Sequence, residues 1–154
     1  MGKILSAAPE PFGTILAVTA FLGLRIGEVL ALRISDVDFS KKIVRVRQSV
    51  DAATRKLQAV KSKASSADVL MPSQLEARLR KHLQTHCGKT GLLFINGRSR
   101  PYSANKLRAK VLHPLLEKLG IPRGGFHAAR HGVTSSPSRR RCNPGCCAEA
   151  AAAQ

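Results

Sequence analysis

A chain of 154 residues is long enough for one domain with a true core and too short for two comfortable ones. Hydrophobic residues make up 44%, which excludes a disordered polyelectrolyte, while 26 Lys and Arg against 9 Asp and Glu leave a net charge of +17. An excess of that size favours a polyanionic partner, because each phosphate neutralised releases condensed counterions. Charge alone leaves room for a ribosomal-type protein or a basic tail that merely aids solubility.

The longest apolar run, residues 15–24, is broken by Thr19 and Gly23. It is far shorter than the roughly 20 residues needed to cross a bilayer, so no membrane partner is expected. Cys87 stands alone, and Cys142, Cys146 and Cys147 crowd the far end without the spacing of a disulfide framework. This usage reads as a reducing, cytoplasmic setting.

In chain order, Pro11 suits the first turn of a helix, and Phe12, Ile15, Leu16, Thr19 and Leu22 follow at helical spacing. Gly23 is expected to end that helix in a left-handed turn. A second helix follows at once, with Ile26, Val29, Leu30 and Leu32 apolar, and stops before Ser35. Two helices joined so closely cross steeply and leave Arg25 at the corner. Ile43, Val44 and Val46 among Lys41, Lys42, Arg45 and Arg47 read as a strand, and residues 51–54 as a turn. Shorter strands at residues 57–60 and 68–71 flank the loop 61–66, and together these pieces make a small antiparallel sheet.

Ser73-Gln74-Leu75-Glu76 has the form of a capping box opening a helix that runs to about His86. Residues 91–95 form a short apolar run closed by Asn96-Gly97. A further helix, residues 103–119, is expected to bury Leu107, Val111, Leu115, Leu116 and Leu119 and to end at Gly120. Residues 126–135 have the pattern of one more helix. From Ser136 the composition turns to Ser, Pro, Arg, Cys and Ala with no amphipathic period, so residues 136–154 read as a disordered tail after a folded unit of residues 1–135.

Three clusters carry chemistry. Arg25 lies in Gly23-Leu24-Arg25-Ile26-Gly27-Glu28, Lys61 and Lys63 lie in the loop between two strands, and His127-Ala128-Ala129-Arg130-His131 follows Phe126. Taken singly, each has a plain reading: a helix-corner arginine, a solvated hairpin tip, a helix-surface histidine pair. A zinc site is disfavoured, since the histidines lack a His-Glu-x-x-His pattern or a third ligand.

In this order, however, the Gly-Leu-Arg-x-Gly-Glu turn with its downstream Asp36-Val37-Asp38, the hairpin lysine and the His-x-x-Arg-His box resemble the catalytic domain of the tyrosine recombinases, the phage integrase family. The resemblance covers roughly residues 12–135 and implies an α+β fold, mainly helical, with a small antiparallel sheet and without its last helices. It implies DNA integration and site-specific DNA recombination on double-stranded DNA, with other recombinase protomers as partners, a nucleoid-associated location and no cofactor or metal.

By that resemblance Arg25 and Arg130 clamp the scissile phosphate, and His127 hydrogen-bonds it or assists proton transfer. Lys61, which fits the family register better than Lys63, protonates the departing 5′ oxygen. Glu28 and His131 support them. The family's nucleophilic tyrosine follows a Leu-Gly-His-like turn after the His-x-x-Arg box, and nothing after Ser135 resembles it. The one tyrosine, Tyr102, lies upstream and reads as a loop aromatic or a phosphate-side hydrogen-bonding group. The polypeptide is therefore expected to be inactive alone. Two alternatives are activity with a tyrosine donated in trans and a non-catalytic basic nucleic-acid-binding protein. The composition of residues 136–154 is what a GC-rich gene yields out of frame, an origin that the downstream DNA read in all frames would test. Only about ten residues precede the first helix, so a separate DNA-clasping domain ahead of it is not expected within these residues.

Overall fold

The computed structural model describes residues 2–59, 67–86 and 91–126. Helix α2, Phe12–Leu22, is the centre of the fold: all its residues except Phe21 are buried, so it has no polar face to turn to solvent. Its two threonines are satisfied locally, Thr19 Oγ1 donating to the Ile15 carbonyl at 2.9 Å and Thr14 Oγ1 to Glu10 Oε2 at 2.7 Å. Helix α1, Gly2–Ala7, and helix α4, Ser73–His86, pack on it. Leu75 and Leu79 of α4 are fully buried, and His82 sits in the core with Nε2 3.0 Å from the Leu93 carbonyl.

Gly23 ends α2 in the expected left-handed conformation, φ 62°. Helix α3, Ile26–Leu30, is shorter than the apolar pattern suggests. Leu32 leaves the helix because its carbonyl accepts from Leu93 N–H at 2.8 Å, and the neighbouring Arg33 forms an isolated bridge with Leu92. A distant strand-like segment thus takes the backbone groups that a longer helix would have used.

The expected single sheet is two smaller ones. Strands β1, Val37–Asp38, β2, Ile43–Val46, and β5, Ala67–Leu70, form an antiparallel sheet in the order β1-β2-β5. Strands β3, Gln48–Val50, and β4, Leu57–Ala59, form a separate hairpin around the turn at Asp51. Val44 and Val46 face inward as their alternation predicts. The interruption at Arg47 lets one continuous stretch serve both sheets. β1 carries no strand signal in the sequence, since it is only two residues long and Asp38 reads locally as a turn residue.

Ser73 begins α4 inside the helix rather than capping it, and the Glu76 carboxylate pairs with Arg80 at 2.9 Å and Lys42 at 3.7 Å. The expected long helix after Ser103 is present as α5, Ala104–Leu107, a π turn, Arg108–Leu112, and α6, His113–Lys118. The wider π turn moves the buried stripe by one residue. Leu112, not Val111, joins Leu107, Leu115 and Leu116 inside, while Val111 and Leu119 are only partly buried. Gly120, φ 65°, closes the helix. The expected helix at residues 126–135, beyond Phe126 itself, and the expected tail at 136–154 lie outside the described residues.

Candidate functional site

Arg25 is held at the α2–α3 corner by its own backbone. It adopts an extended conformation, φ −70° and ψ 146°, and its carbonyl accepts from Glu28 and Val29 N–H. Glu28 Oε2 reaches back to accept the Arg25 N–H at 2.8 Å, and Oε1 lies 3.5 Å from Arg25 Nη1. The cap is one-sided, because a guanidinium has no acceptor to return. Glu28 is buried and anchored, while the Arg25 side chain is 61% exposed, so the carboxylate fixes the backbone and pairs with a guanidinium that stays largely open to an anion.

Gly27 explains how this corner meets the hairpin. A Cβ on Gly27 would stand 2.8 Å from Ser49 Oγ and 2.9 Å from the Val50 carbonyl. Only a residue without a side chain lets α3 lie against β3 this closely. The approach brings the β3–β4 hairpin beside Arg25.

Between these elements opens a cleft of about 320 Å³. Leu24, Leu30, Val50 and Phe126 give it an apolar lining, and Arg25, Arg55 and Arg108 give it cations. Asp51 also lines it, but its Oδ1 accepts from Ala53 N–H, Thr54 N–H and the Thr54 hydroxyl, which ties it to the turn. Tyr102 contributes a half-buried ring, and burial pushes its hydroxyl above the ordinary value of 10.0, so it stays a neutral hydrogen-bonding group.

Of the residues expected from sequence, the structure places Arg25 in the lining of this cleft, with Glu28 buried behind it and bonded to its backbone. Lys61, Lys63, His127, Arg130 and His131 lie outside the described residues. Gly125 and Phe126, which lead directly into His127, line the cleft, and Phe126 is anchored edge-on to Phe12 with ring centroids 6.2 Å apart. Arg55, Asn105 and Arg108 also line the cleft without a signal in the sequence. A loop arginine and a polar pair on a helix that also carries Lys106 and Lys110 look like ordinary solvated surface in sequence.

A second depression of similar volume is lined by Arg33, Ser35, Asp36, Arg45, Arg47 and Gln48. Its charges are partly answered within the protein: Asp36 accepts the Arg33 N–H at 2.9 Å, and Arg45 pairs with Asp38 at 2.9 Å. Among the described residues no group of three or more His, Cys, Asp or Glu is placed to hold a metal ion, and no helix is long and apolar enough to cross a membrane.

Comparison with known proteins agrees with this architecture. The model of the phage integrase family matches residues 8–144. A Mycobacterium tuberculosis protein named as a prophage phiRv2 integrase is 29% identical over 134 residues, covering 83% of this chain and 36% of its own length. A tyrosine recombinase XerC-like protein of Caldanaerobacter subterraneus is 31% identical over 132 residues, covering 71% of this chain and 34% of its own. The chain thus spans about a third of the length of these relatives. Among solved structures, the Tn1549 transposon integrase in complex with circular intermediate DNA superposes with a TM-score of 0.72 at 17% identity, over 86% of this chain and 50% of that one. XerA recombinase does so with a TM-score of 0.68 at 24% identity, over 86% and 45%. With a catalytic-domain fold and a family match that includes the Arg25 corner and the residues around His127, the chain belongs to the phage integrase family of tyrosine recombinases.

Proposed function

We propose that this polypeptide binds double-stranded DNA through the Arg25 cleft as the phosphate-holding part of a recombinase site, and that it does not cut DNA by itself. The observation that carries this reading is the anchored but exposed Arg25 in a cleft whose lining runs into the chain just before His127.

Transesterification at a phosphodiester adds an oxygen nucleophile to phosphorus, forming one P–O bond and breaking the bond to the 5′ oxygen. Negative charge builds on the non-bridging oxygens. Arg25 and Arg130 would neutralise it as a bidentate pair, and His127 would hydrogen-bond the same group. Lys61 would deliver the proton that the leaving 5′ oxygen needs. Glu28 would keep Arg25 in place, and His131 would support the box from behind.

The family's nucleophile is a tyrosine beyond the His-x-x-Arg box, whereas the tyrosine within these 154 residues is Tyr102, ahead of α5. Its burial-raised pKa leaves it a poor source of phenolate near neutrality. Duplex binding by the wild type, Arg25→Ala and Arg130→Ala tests the reading. Each variant is expected to lose about tenfold or more in affinity, and losses no larger than those from an arginine outside the cleft lining, such as Arg80→Ala on α4, would contradict it. A protein–DNA adduct surviving denaturation would overturn the claim that the chain cannot cleave alone.

A further inference from the structure

Several arginines on this surface have a local explanation. Arg45 pairs with Asp38, Arg78 with Glu10, Arg80 with Glu76 and Arg123 with Glu117. Arg108 differs. It is exposed, it lines the Arg25 cleft, and it forms no ion pair with a carboxylate among the described residues. Asn105, one helical turn before it, faces the same cleft.

The π turn starts at Arg108. A π turn re-aims the side chains at its boundary relative to a regular helix, and such turns are frequent at functional sites. Here the buried stripe is displaced from Val111 to Leu112, while Asn105 and Arg108 stay on the cleft side. Arg55 adds a third cation from the hairpin, in a left-handed backbone conformation, φ 57°.

We infer that Arg108 and Asn105 form a second phosphate subsite in the cleft, distinct from the one that Arg25 serves, so that the cleft holds two phosphates of one DNA backbone. The chemistry of the cleft fits a sugar-phosphate strand: apolar floor residues suit the deoxyribose between phosphates, and cations on separate elements suit the phosphates themselves. Arg108 offers a charge-assisted, bidentate contact, and the Asn105 amide adds a neutral donor. These residues position DNA and take no part in bond making. The inference rests on the DNA-binding reading above.

Its test is the salt dependence of affinity for a duplex oligonucleotide, measured with the full chain for the wild type, Arg25→Gln, Arg108→Gln and the double variant. One lost phosphate contact lowers the slope of log K against log salt by about 0.9. Arg108→Gln is expected to lower it by about that much and to weaken binding about tenfold at moderate salt, independently of DNA sequence. The double variant is expected to lose twice the slope, since the two arginines serve different phosphates. Unchanged slope and affinity in Arg108→Gln, beside a loss in Arg25→Gln, would overturn the second subsite alone. A double variant no weaker than either single one would also overturn it, because both arginines would then share one phosphate. No change in any variant would remove the DNA reading of the whole cleft. Arg108 is exposed, so a wild-type-like far-ultraviolet spectrum and melting curve are expected to accompany these effects.

Discussion

Gly27→Ala is the most informative single change for the architecture of the site. The added Cβ would stand 2.9 Å from the Val50 carbonyl, whereas ordinary contact begins at 3.4 Å, so α3 and β3 must separate by about 0.5 Å. Ser49 Oγ, at 2.8 Å, has the freedom to rotate away; a backbone carbonyl inside a paired strand has not. Overpacking of this kind costs about 1–3 kcal/mol, and the better helix propensity of Ala returns at most about 1 kcal/mol. A net destabilisation of about 1–2 kcal/mol follows, which for a chain of this size lowers the melting temperature by about 2–8 °C. Thermal or urea unfolding of the wild type, Gly27→Ala and Gly97→Ala provides the assay. Gly97 has open space around it and no positive φ, so its substitution is expected to stay within about 0.5 kcal/mol. Because Arg25 rides on the displaced helix, Gly27→Ala is also expected to weaken DNA binding. A Gly27→Ala protein as stable as the wild type, or more stable, would refute the close-approach explanation.

Other consequences are equally open to measurement. Leu16→Ala, at a fully buried position of α2, is expected to cost about 2–5 kcal/mol in denaturant unfolding, whereas Leu57→Ala, on exposed β4, stays near zero; comparable losses would contradict the placement of the core. Glu28→Ala removes the acceptor of the Arg25 N–H and is expected to cost about 1 kcal/mol and weaken DNA binding, with Glu28→Gln restoring part of both. At Glu10, burial alone would raise the carboxyl pKa, but hydrogen bonds from Thr14 and Arg78 outweigh it and the net shift is downward from 4.5. A lowered folded-state value means stability that is present above the unfolded pKa and is lost as pH falls through the folded one. The gap in melting temperature between the wild type and Glu10→Gln is therefore expected to close on acidification, and a gap that widens would contradict this. Tyr102, as the sole tyrosine, gives a tyrosinate absorbance titration of its own. Its midpoint is expected above the ordinary 10.0, with that part of the stability present at lower pH and lost as pH rises through the folded value. A midpoint at or below 10.0 would contradict its half-buried position.

Local chemistry made much of this legible in the sequence. Gly23 announced a left-handed stop, and the alternation of Val44 and Val46 with Arg45 announced a strand with one inward face. The helix signal after Ser103 was equally plain, yet its buried face was misassigned at Val111. A π turn obeys no sequence period and is settled by how Leu112 fits the core. Leu32 was assigned to a helix because its partner for the backbone, Leu93, lies far along the chain, and periodicity is blind to such pairings. The site followed the same division. Arg25 and Glu28 stood out because they lie in one short motif, Gly23-Leu24-Arg25-Ile26-Gly27-Glu28, that carries the family resemblance. Arg55, Asn105 and Arg108 became visible only when three distant segments closed around one cleft.

Hydrogen–deuterium exchange of the full chain with and without duplex DNA asks whether DNA lies in the Arg25 cleft. New protection is expected in the residues that line the cleft, around Arg25 to Leu30, at the turn holding Arg55, and around Tyr102 to Arg108, and none at the outer surface of α4. Protection confined to the depression at Arg33 and Arg47, or to α4, with the Arg25 corner exchanging as in the free protein, would contradict it.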